Sequence, residues 1–290
     1  MTPALDVVVV SYRTRELLRT CLRSLELRNA ADQHVVVVDN ASGDGSAELV
    51  AAEFPEVGLI AAPRNLGFAA AANTGMAGGS APYVLVLNPD TEVPPETLDA
   101  LLELMERKPD VGICGCKLVR PDGRLDHAAR RSFPTILGAL GHFTGAGRGR
   151  RAPHALAQYR APGIDGGPVD AVNGAFMLIR RAALEQVGGF DERYWMYMED
   201  LDLCFRFAQA GWVTWYEPGV SALHVKAAAS GRHRSPQLTV AFHSGMARYY
   251  RTHVAPRRNP FVNAVVYGGI ATKLALSLVR NTAARAIART

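Results

Sequence analysis

Short aliphatic runs that alternate with segments of helical apolar spacing constrain the fold of this 290-residue chain more tightly than any other feature. Val7–Val10 and Val35–Val38 are β-branched runs, and Gly58–Ala61 and Tyr83–Leu87 are two more of strand length. Between them, Glu16–Leu27 carries apolar residues at helical intervals, while Ser46–Glu53 and the alanine-rich Phe68–Ala77 also read as helices. Pro95–Arg107 is a helix opened by proline in its first turn. Runs that are apolar throughout, rather than at every second residue, suit strands covered on both faces. The expected fold class is therefore α/β, a Rossmann-like, mostly parallel sheet flanked by helices.

Ligands on such sheets bind beyond the carboxyl ends of the strands, and polar residues gather there. Ser11-Tyr12-Arg13 follows the first run and Asp39-Asn40-Ala41-Ser42-Gly43-Asp44 the second. Arg64-Asn65-Leu66-Gly67-Phe68 follows the third and Asn88-Pro89-Asp90 the fourth. A lone Asp after a strand is an ordinary helix cap; four polar clusters on one edge make a ligand site. The first run lacks a G-x-G-x-x-G and there is no Walker loop, which excludes the common dinucleotide and phosphate-loop sites. An Asp at a strand end can accept from a base imide N–H, and the Tyr12 ring can pack on the base. Arg64 can meet a diphosphate, and Asp90 suits a hard divalent cation that bridges phosphate oxygens.

From about residue 127 to 168 the pattern gives way to Gly, Pro and Arg, as expected of a long mobile loop that serves as a lid or acceptor element. Val172–Arg180 then reads as a strand, Asp200–Ala210 as a helix and Val213–Tyr216 as another strand. An aromatic run, Tyr194–Met198, leads directly into Glu199-Asp200-Leu201-Asp202. Acids at a helix start complement its dipole, but that does not account for three in four positions. Clustered carboxylates raise one another's pKa, which can poise one of them as a general base.

The runs VVVVSYR, VVVVDNAS, PRNLGFAAAANTG and LVLNPDTEV resemble family 2 glycosyltransferases of the GT-A fold, with the likeness extending from about Val7 to His224. Within the family the chain is similar to bacterial rhamnosyltransferases that use dTDP-rhamnose, in particular those acting on polyprenyl-diphosphate-linked GlcNAc in cell-wall assembly. The resemblance implies Asp39 as acceptor from the base imide, and Ser11, Tyr12, Arg13, Asn40 and Arg64 as nucleotide lining. It places Asn65, Gly67 and Asn73 in the stretch facing the sugar nucleotide. Asn88-Pro89-Asp90 stands where the family has a metal-binding D-x-D. With Asn88 replacing the first acid, Mg2+ or Mn2+ is expected on Asp90 and mainly on the diphosphate. The resemblance further implies an inverting transfer with Asp200 as base and Glu199 on acceptor or donor hydroxyls. Asn173, Gly174, Ala175 and Trp195 would then line the acceptor, with His224 as second metal ligand. Thymine and uracil present the same imide, so a UDP-sugar donor (galactofuranose or GlcNAc) stays open, as does a non-catalytic nucleotide-sugar-binding module at a membrane. A nucleotidyltransferase would need a Gly-rich basic loop where Ser11-Tyr12-Arg13 stands.

Charge adds a second partner. From His224 to the C-terminus the chain holds eleven Lys and Arg and no Asp or Glu, although the whole chain is only +5. This asymmetry implies phosphate groups or anionic lipid, and no nucleic-acid motif accompanies it. Gln237–His253 and Phe261–Arg289 read as helices. Asn263, Gly268-Gly269 and Lys273 make the second a poor spanning helix, better suited to the membrane interface or to a second copy in a homo-oligomer. The expected division is a catalytic domain over 1–225, with its nucleotide half ending near 120, and a basic helical extension over 226–290. Cys21, Cys114, Cys116 and Cys204 show no zinc or redox spacing, so free thiols are expected. With no leader-like segment before the first strand, the expected location is cytoplasmic, peripheral at the inner face of the plasma membrane.

Overall fold

The computed structural model describes residues 4–26, 33–135, 165–226 and 235–287, with side chains to 281. Its strands are β1 (Leu5–Ser11), β2 (Gln33–Asp39), β3 (Gly58–Ala61), β4 (Tyr83–Leu87), β5 (Thr91–Glu92), β6 (Val111–Val119), β7 (Arg130–Arg131), β8 (Gly167–Val169), β9 (Ala171–Val172), β10 (Phe176–Arg180) and β11 (Val213–His224). Its helices are α1 (Arg15–Glu26), α2 (Ser46–Glu53), α3 (Phe68–Met76), α4 (Pro95–Arg107), α5 (Arg181–Val187), α6 (Glu199–Gln209), α7 (Pro236–Tyr249) and α8 (Pro260–Ile287). Nine strands form one sheet in the order β3-β2-β1-β4-β10-β6-β11-β5, with β8 on β11, and β7 pairs with β9 in a separate ribbon. Strands β3, β2, β1 and β4 run parallel, as the alternating pattern requires. Beyond β4 the sheet is mixed, because β10 lies antiparallel to both β4 and β6.

Every residue of β1 is buried. Its side chains alternate between faces: Leu5, Val7 and Val9 join Leu18, Leu22, Leu98 and Leu101 on one side. Val8 and Val10 join Ala69, Ala72, Leu201 and Phe207 on the other. Burial of each such aliphatic side chain is worth roughly 1.5–3 kcal/mol, so the two-sided run is the main anchor of the fold. The alanine-rich α3 lies unusually close to the sheet, since a Cβ on Gly75 would come within 2.4 Å of Val8 Cγ1.

The stretch that reads as one strand over 172–180 is two. Asn173 takes the Ala175 N–H on its side-chain oxygen (2.9 Å) and the Phe176 N–H on its carbonyl (3.1 Å), a turn that breaks the ladder between β9 and β10. Strand β11 continues well past Tyr216 to His224. The ends of the expected loop are built into β7 and β8, and residues 136–164 lie outside the described residues. All four cysteines are free and buried.

Helix α7 packs on the segment ahead of α6, where a Cβ on Gly245 would sit 2.9 Å from the Tyr197 carbonyl oxygen. Helix α8 returns antiparallel to it: Tyr250 bonds Asn263 (2.7 Å) at one end and Asn281 bonds Thr239 (2.9 Å) at the other. The outer face of α8 is apolar and open, with Phe261 77% and Val279 70% exposed. Neither Gly268-Gly269 nor Lys273 interrupts the helix, and Pro260–Asn281 is long and apolar enough to cross a membrane by length and composition.

Candidate active site

Register sets Ser11 beside Asp39 and Asp39 beside Ala61, so β1, β2 and β3 end level. The chain leaves β1 and β2 through left-handed residues, Arg13 (φ 56°) and Ala41 (φ 60°). Such backbone costs on the order of 1–3 kcal/mol at a non-glycine and persists where neighbours hold it. Here the Arg13 N–H donates to Ser42 Oγ (3.0 Å) and the Asn40 N–H to the Ser11 carbonyl (2.8 Å). Ser11 is fully buried, with its hydroxyl 3.1 Å from that of Thr14. Asp39 is buried as well. Its Oδ2 accepts the Ser42 N–H at 3.3 Å, while its Oδ1 is buried with no partner among the described residues. A buried carboxylate oxygen left this way is costly unless a ligand supplies the donor. Tyr12 is half-buried with the Arg13 guanidinium 5.3 Å from its ring centre, and Arg64 is exposed.

Asn40 and Asn65 shape the loop above this edge. The Asn40 amide donates to Asn65 Oδ1 (3.2 Å) and the Gly67 carbonyl (3.1 Å), and its oxygen takes the Leu66 N–H (2.8 Å). Gly67 has φ 85°, and a Cβ there would fall 2.3 Å from the Trp195 carbonyl oxygen, so only glycine fits. That carbonyl also accepts the Phe68 N–H at 2.8 Å, which joins the half-buried Trp195 to the loop above this edge. Asn73 is held by a segment far along the chain. Both ends of its amide bond the Phe190 backbone at 2.9 Å, and its nitrogen also reaches Glu192. Those contacts tie α3 to the segment ahead of the acid pair.

Asp90 and His224 meet because β5 and the end of β11 are paired, Thr91 opposite His224. Both side chains are buried, with His224 Nε2 3.4 Å from Asp90 Oδ1. Behind the ring, Nδ1 lies 3.2 Å from Asp126 Oδ2, and Lys226 Nζ donates to Asp126 Oδ1 at 2.6 Å. Burial opposes the charge on Asp126, yet hydrogen bonds from His224 and Lys226 outweigh it and hold the carboxyl well below its usual range. Burial likewise disfavours charge on the ring, but Asp126 and Asp90 outweigh it and lift His224 to about 9. A cation taken on Nε2 has therefore to displace a proton. A carboxylate behind a histidine, with a second carboxylate in front, is the arrangement that orients an imidazole toward a metal. Asp90 and His224 could hold a divalent cation, with one hard oxygen donor and one nitrogen.

The acid pair sits at the start of α6, behind two consecutive left-handed residues, Tyr197 (φ 70°) and Met198 (φ 75°). Asp200 Oδ2 accepts from Arg131 Nη2 (2.6 Å) and the Gly174 N–H (3.0 Å), and Oδ1 accepts the Leu201 N–H (2.7 Å). Glu199 contrasts with it. Burial first and the neighbouring Asp200 charge second push its carboxyl up to about 8, and its Oε2 is buried with no partner among the described residues. Asp202 is occupied by the fold, bonded to Arg206 (2.8 Å), His253 (2.7 Å) and the Tyr194 hydroxyl (3.3 Å). Three acids in four positions thus have three environments.

One short segment joins the two halves of the site. Because Phe176 of β10 pairs with Leu87 of β4, Asn173-Gly174-Ala175 lies beside Asn88-Pro89-Asp90. The Ala175 carbonyl accepts the Asn88 N–H (3.0 Å), while a Cβ on Gly174 would come 3.3 Å from Asp200 Cβ. Sequence reasoning missed Arg131 and Asp126, which fall in or next to the stretch that reads as loop and carry no periodic signal.

Residues 6–188 match Glycosyl transferase family 2, and the chain belongs to that family; it is a GT-A-fold glycosyltransferase. It is 37% identical over 245 residues, covering 80% of this chain and 79% of the relative, to N-acetylglucosaminyl-diphospho-decaprenol L-rhamnosyltransferase of Mycobacterium tuberculosis. Rhamnosyltransferase WbbL of Escherichia coli is 31% identical over 49% of this chain and 52% of its own length. Among solved structures, mannosyltransferase PcManGT of Pyrobaculum calidifontis, in complex with GDP-Man and Mn2+, superposes with a TM-score of 0.61 at 20% identity, over 98% of this chain and 76% of that one. Residues 1–349 of S. aureus TarS superpose with a TM-score of 0.54 at 13% identity, over 87% and 73%.

Proposed function

We propose that this glycosyltransferase moves L-rhamnose from dTDP-rhamnose onto a hydroxyl of polyprenyl-diphosphate-linked GlcNAc, with inversion, in cell-wall polysaccharide synthesis. It works from the cytoplasm, as a peripheral protein at the inner face of the plasma membrane. The observation that carries the reading is the segment Asn173-Gly174-Ala175, which touches Asn88 next to the Asp90–His224 pair and also Asp200. The M. tuberculosis relative supports the sugar and the acceptor. An acid-free basic C-terminal stretch and the open apolar face of α8 support the membrane.

In this reading Asp39 Oδ1 accepts the imide N–H of the base, Tyr12 packs on the ring, and Arg13 and Arg64 lie toward the phosphates. Asp200 takes the proton of the acceptor hydroxyl as its oxygen bonds to the anomeric carbon. The carbon–oxygen bond to the diphosphate breaks in the same step and its electron pair leaves with dTDP, so a β-linked donor yields an α-L-rhamnoside. Glu199, protonated at neutral pH, donates a hydrogen bond to a sugar oxygen. Mg2+ or Mn2+ on Asp90 and His224 would neutralise the departing diphosphate, and the Pyrobaculum calidifontis neighbour was solved with Mn2+.

Release of dTDP and UDP from a panel of sugar nucleotides, with Mn2+ or Mg2+ and a short-chain polyprenyl-diphosphate GlcNAc, tests the reading. Acceptor-dependent dTDP release from dTDP-rhamnose is expected. Turnover of UDP-galactofuranose or UDP-GlcNAc instead would overturn the donor, and turnover of none would favour a non-catalytic binding module. Asp126→Asn should weaken Mn2+ binding in the presence of dTDP by about 10- to 100-fold, because it loosens the ring that His224 presents. Electron paramagnetic resonance of free Mn2+ measures this directly, and unchanged affinity would remove Asp126 from the metal's support.

A further inference from the structure

Between α7 and α8 lies an open cavity of about 370 Å³, lined by Ser244, Ala247, Arg248, Arg251 and Tyr267. Ser244, Ala247, Arg248 and Arg251 recur at the spacing of one helical face, continued by the turn after α7. Neither arginine forms an ion pair among the described residues. Nor does the sequence from α7 to the C-terminus contain an acid to form one. Arg248 is held over the Tyr194 ring, 5.8 Å from its centre, and Asp191 nearby is already paired with Arg193 at 2.8 Å.

Position gives these two cations a purpose. Gly245, inside the same helical turn, packs on Tyr197 and Met198, the residues immediately ahead of Glu199 and Asp200. Tyr197 and Phe242 also meet edge to face at 5.8 Å. On its other side the cavity is walled by α8 through Tyr267, and α8 carries the exposed Phe261, Val265, Leu276 and Val279. Two guanidinium groups and a serine hydroxyl therefore face the apolar α8 across the cavity, on a helix whose Gly245 packs on the residues just ahead of the acid pair. That order matches an amphiphile with a hydrocarbon chain, two adjacent phosphates and a saccharide. Guanidinium forks pair bidentately with phosphate oxygens, and two of them match the charge of two linked phosphates better than that of a single lipid headgroup.

We propose that Arg248 and Arg251 bind the diphosphate of the lipid-linked acceptor, with its isoprenoid chain along α8 and its saccharide directed to Asp200. The proposal rests on the acceptor reading above. Its test is calorimetric titration of the full chain with farnesyl diphosphate, compared with farnesol, for wild type, Arg251→Gln and Arg248→Gln/Arg251→Gln. Arg251 is exposed, so its single variant guards against misfolding. Loss of about 10- to 100-fold in farnesyl diphosphate affinity in the double variant, and part of it in the single, is expected from removal of charged hydrogen bonds. Unchanged affinity in both variants, or farnesol binding wild type as tightly, would overturn it. So would loss of binding to phosphatidylglycerol vesicles with farnesyl diphosphate affinity intact, which would assign the arginines to headgroups. In turnover, Arg251→Gln should raise KM for the lipid-diphosphate GlcNAc and leave octyl GlcNAc, which lacks the phosphates, unaffected; equal effects on both would count against the cavity. If wild type uses neither acceptor, the acceptor reading fails, and the diphosphate titration still decides the cavity.

Discussion

Asp200→Asn is expected to slow sugar transfer about 1,000-fold, within the range for loss of a positioned general base. It should leave dTDP affinity nearly unchanged, because Asp200 lies across the Asn173-Gly174-Ala175 segment from Asn88 and the end of β4. Asparagine keeps the shape and one oxygen that can still accept from Arg131 and Gly174, so the fold around the buried pair is supported while the proton acceptor is gone. The companion change separates the two carboxyl groups. Burial and the Asp200 charge raise the Glu199 carboxyl to about 8, and Glu199→Gln preserves a hydrogen-bond donor. Its effect should be about tenfold or less, the worth of a perturbed hydrogen bond. Acceptor-dependent dTDP release, with dTDP affinity measured alongside, reads both. A larger loss for Glu199→Gln than for Asp200→Asn would exchange the two roles.

Asp90→Ala should lower kcat/KM by about 100- to 1,000-fold, as expected when the charge of a departing diphosphate loses its counterion. Asn88 stands where a second acid could have shared the task, so Asp90 is the carboxylate in front of His224 Nε2, while Asp126 stands behind the ring on Nδ1. The distinctive signature is in binding. Mn2+ should tighten dTDP binding to the wild-type chain and fail to do so in the variant, a difference that a general loss of packing would not produce. Titration of dTDP with and without Mn2+ measures it, and retained Mn2+ enhancement in Asp90→Ala would move the cation elsewhere.

The convergence of polar residues on one sheet edge was legible in the sequence because parallel strands entering a sheet in succession end on the same side. Residues following Val10, Val38, Ala61 and Leu87 therefore converge whatever else the chain does, and the apolar runs themselves encode the burial of β1. The acid pair was legible too, since adjacent carboxylates at a helix start are a local feature. Asn73 shows the limit of such reading: its place in a motif said nothing of Phe190, which claims its amide from far along the chain.

What the tertiary structure alone decided are the pairings that join distant segments. His224 faces Asp90 only because β11 runs past Tyr216 and meets β5, and Asn173-Gly174-Ala175 bridges the halves only because β10 enters antiparallel beside β4. Asp126 and Arg131 acquire partners through the same long-range register. Local propensity and hydrophobic period specify which residues form an element and which face is buried. They carry no information on which strand inserts between two others, because that choice depends on how whole faces pack and on which buried charges find counterparts.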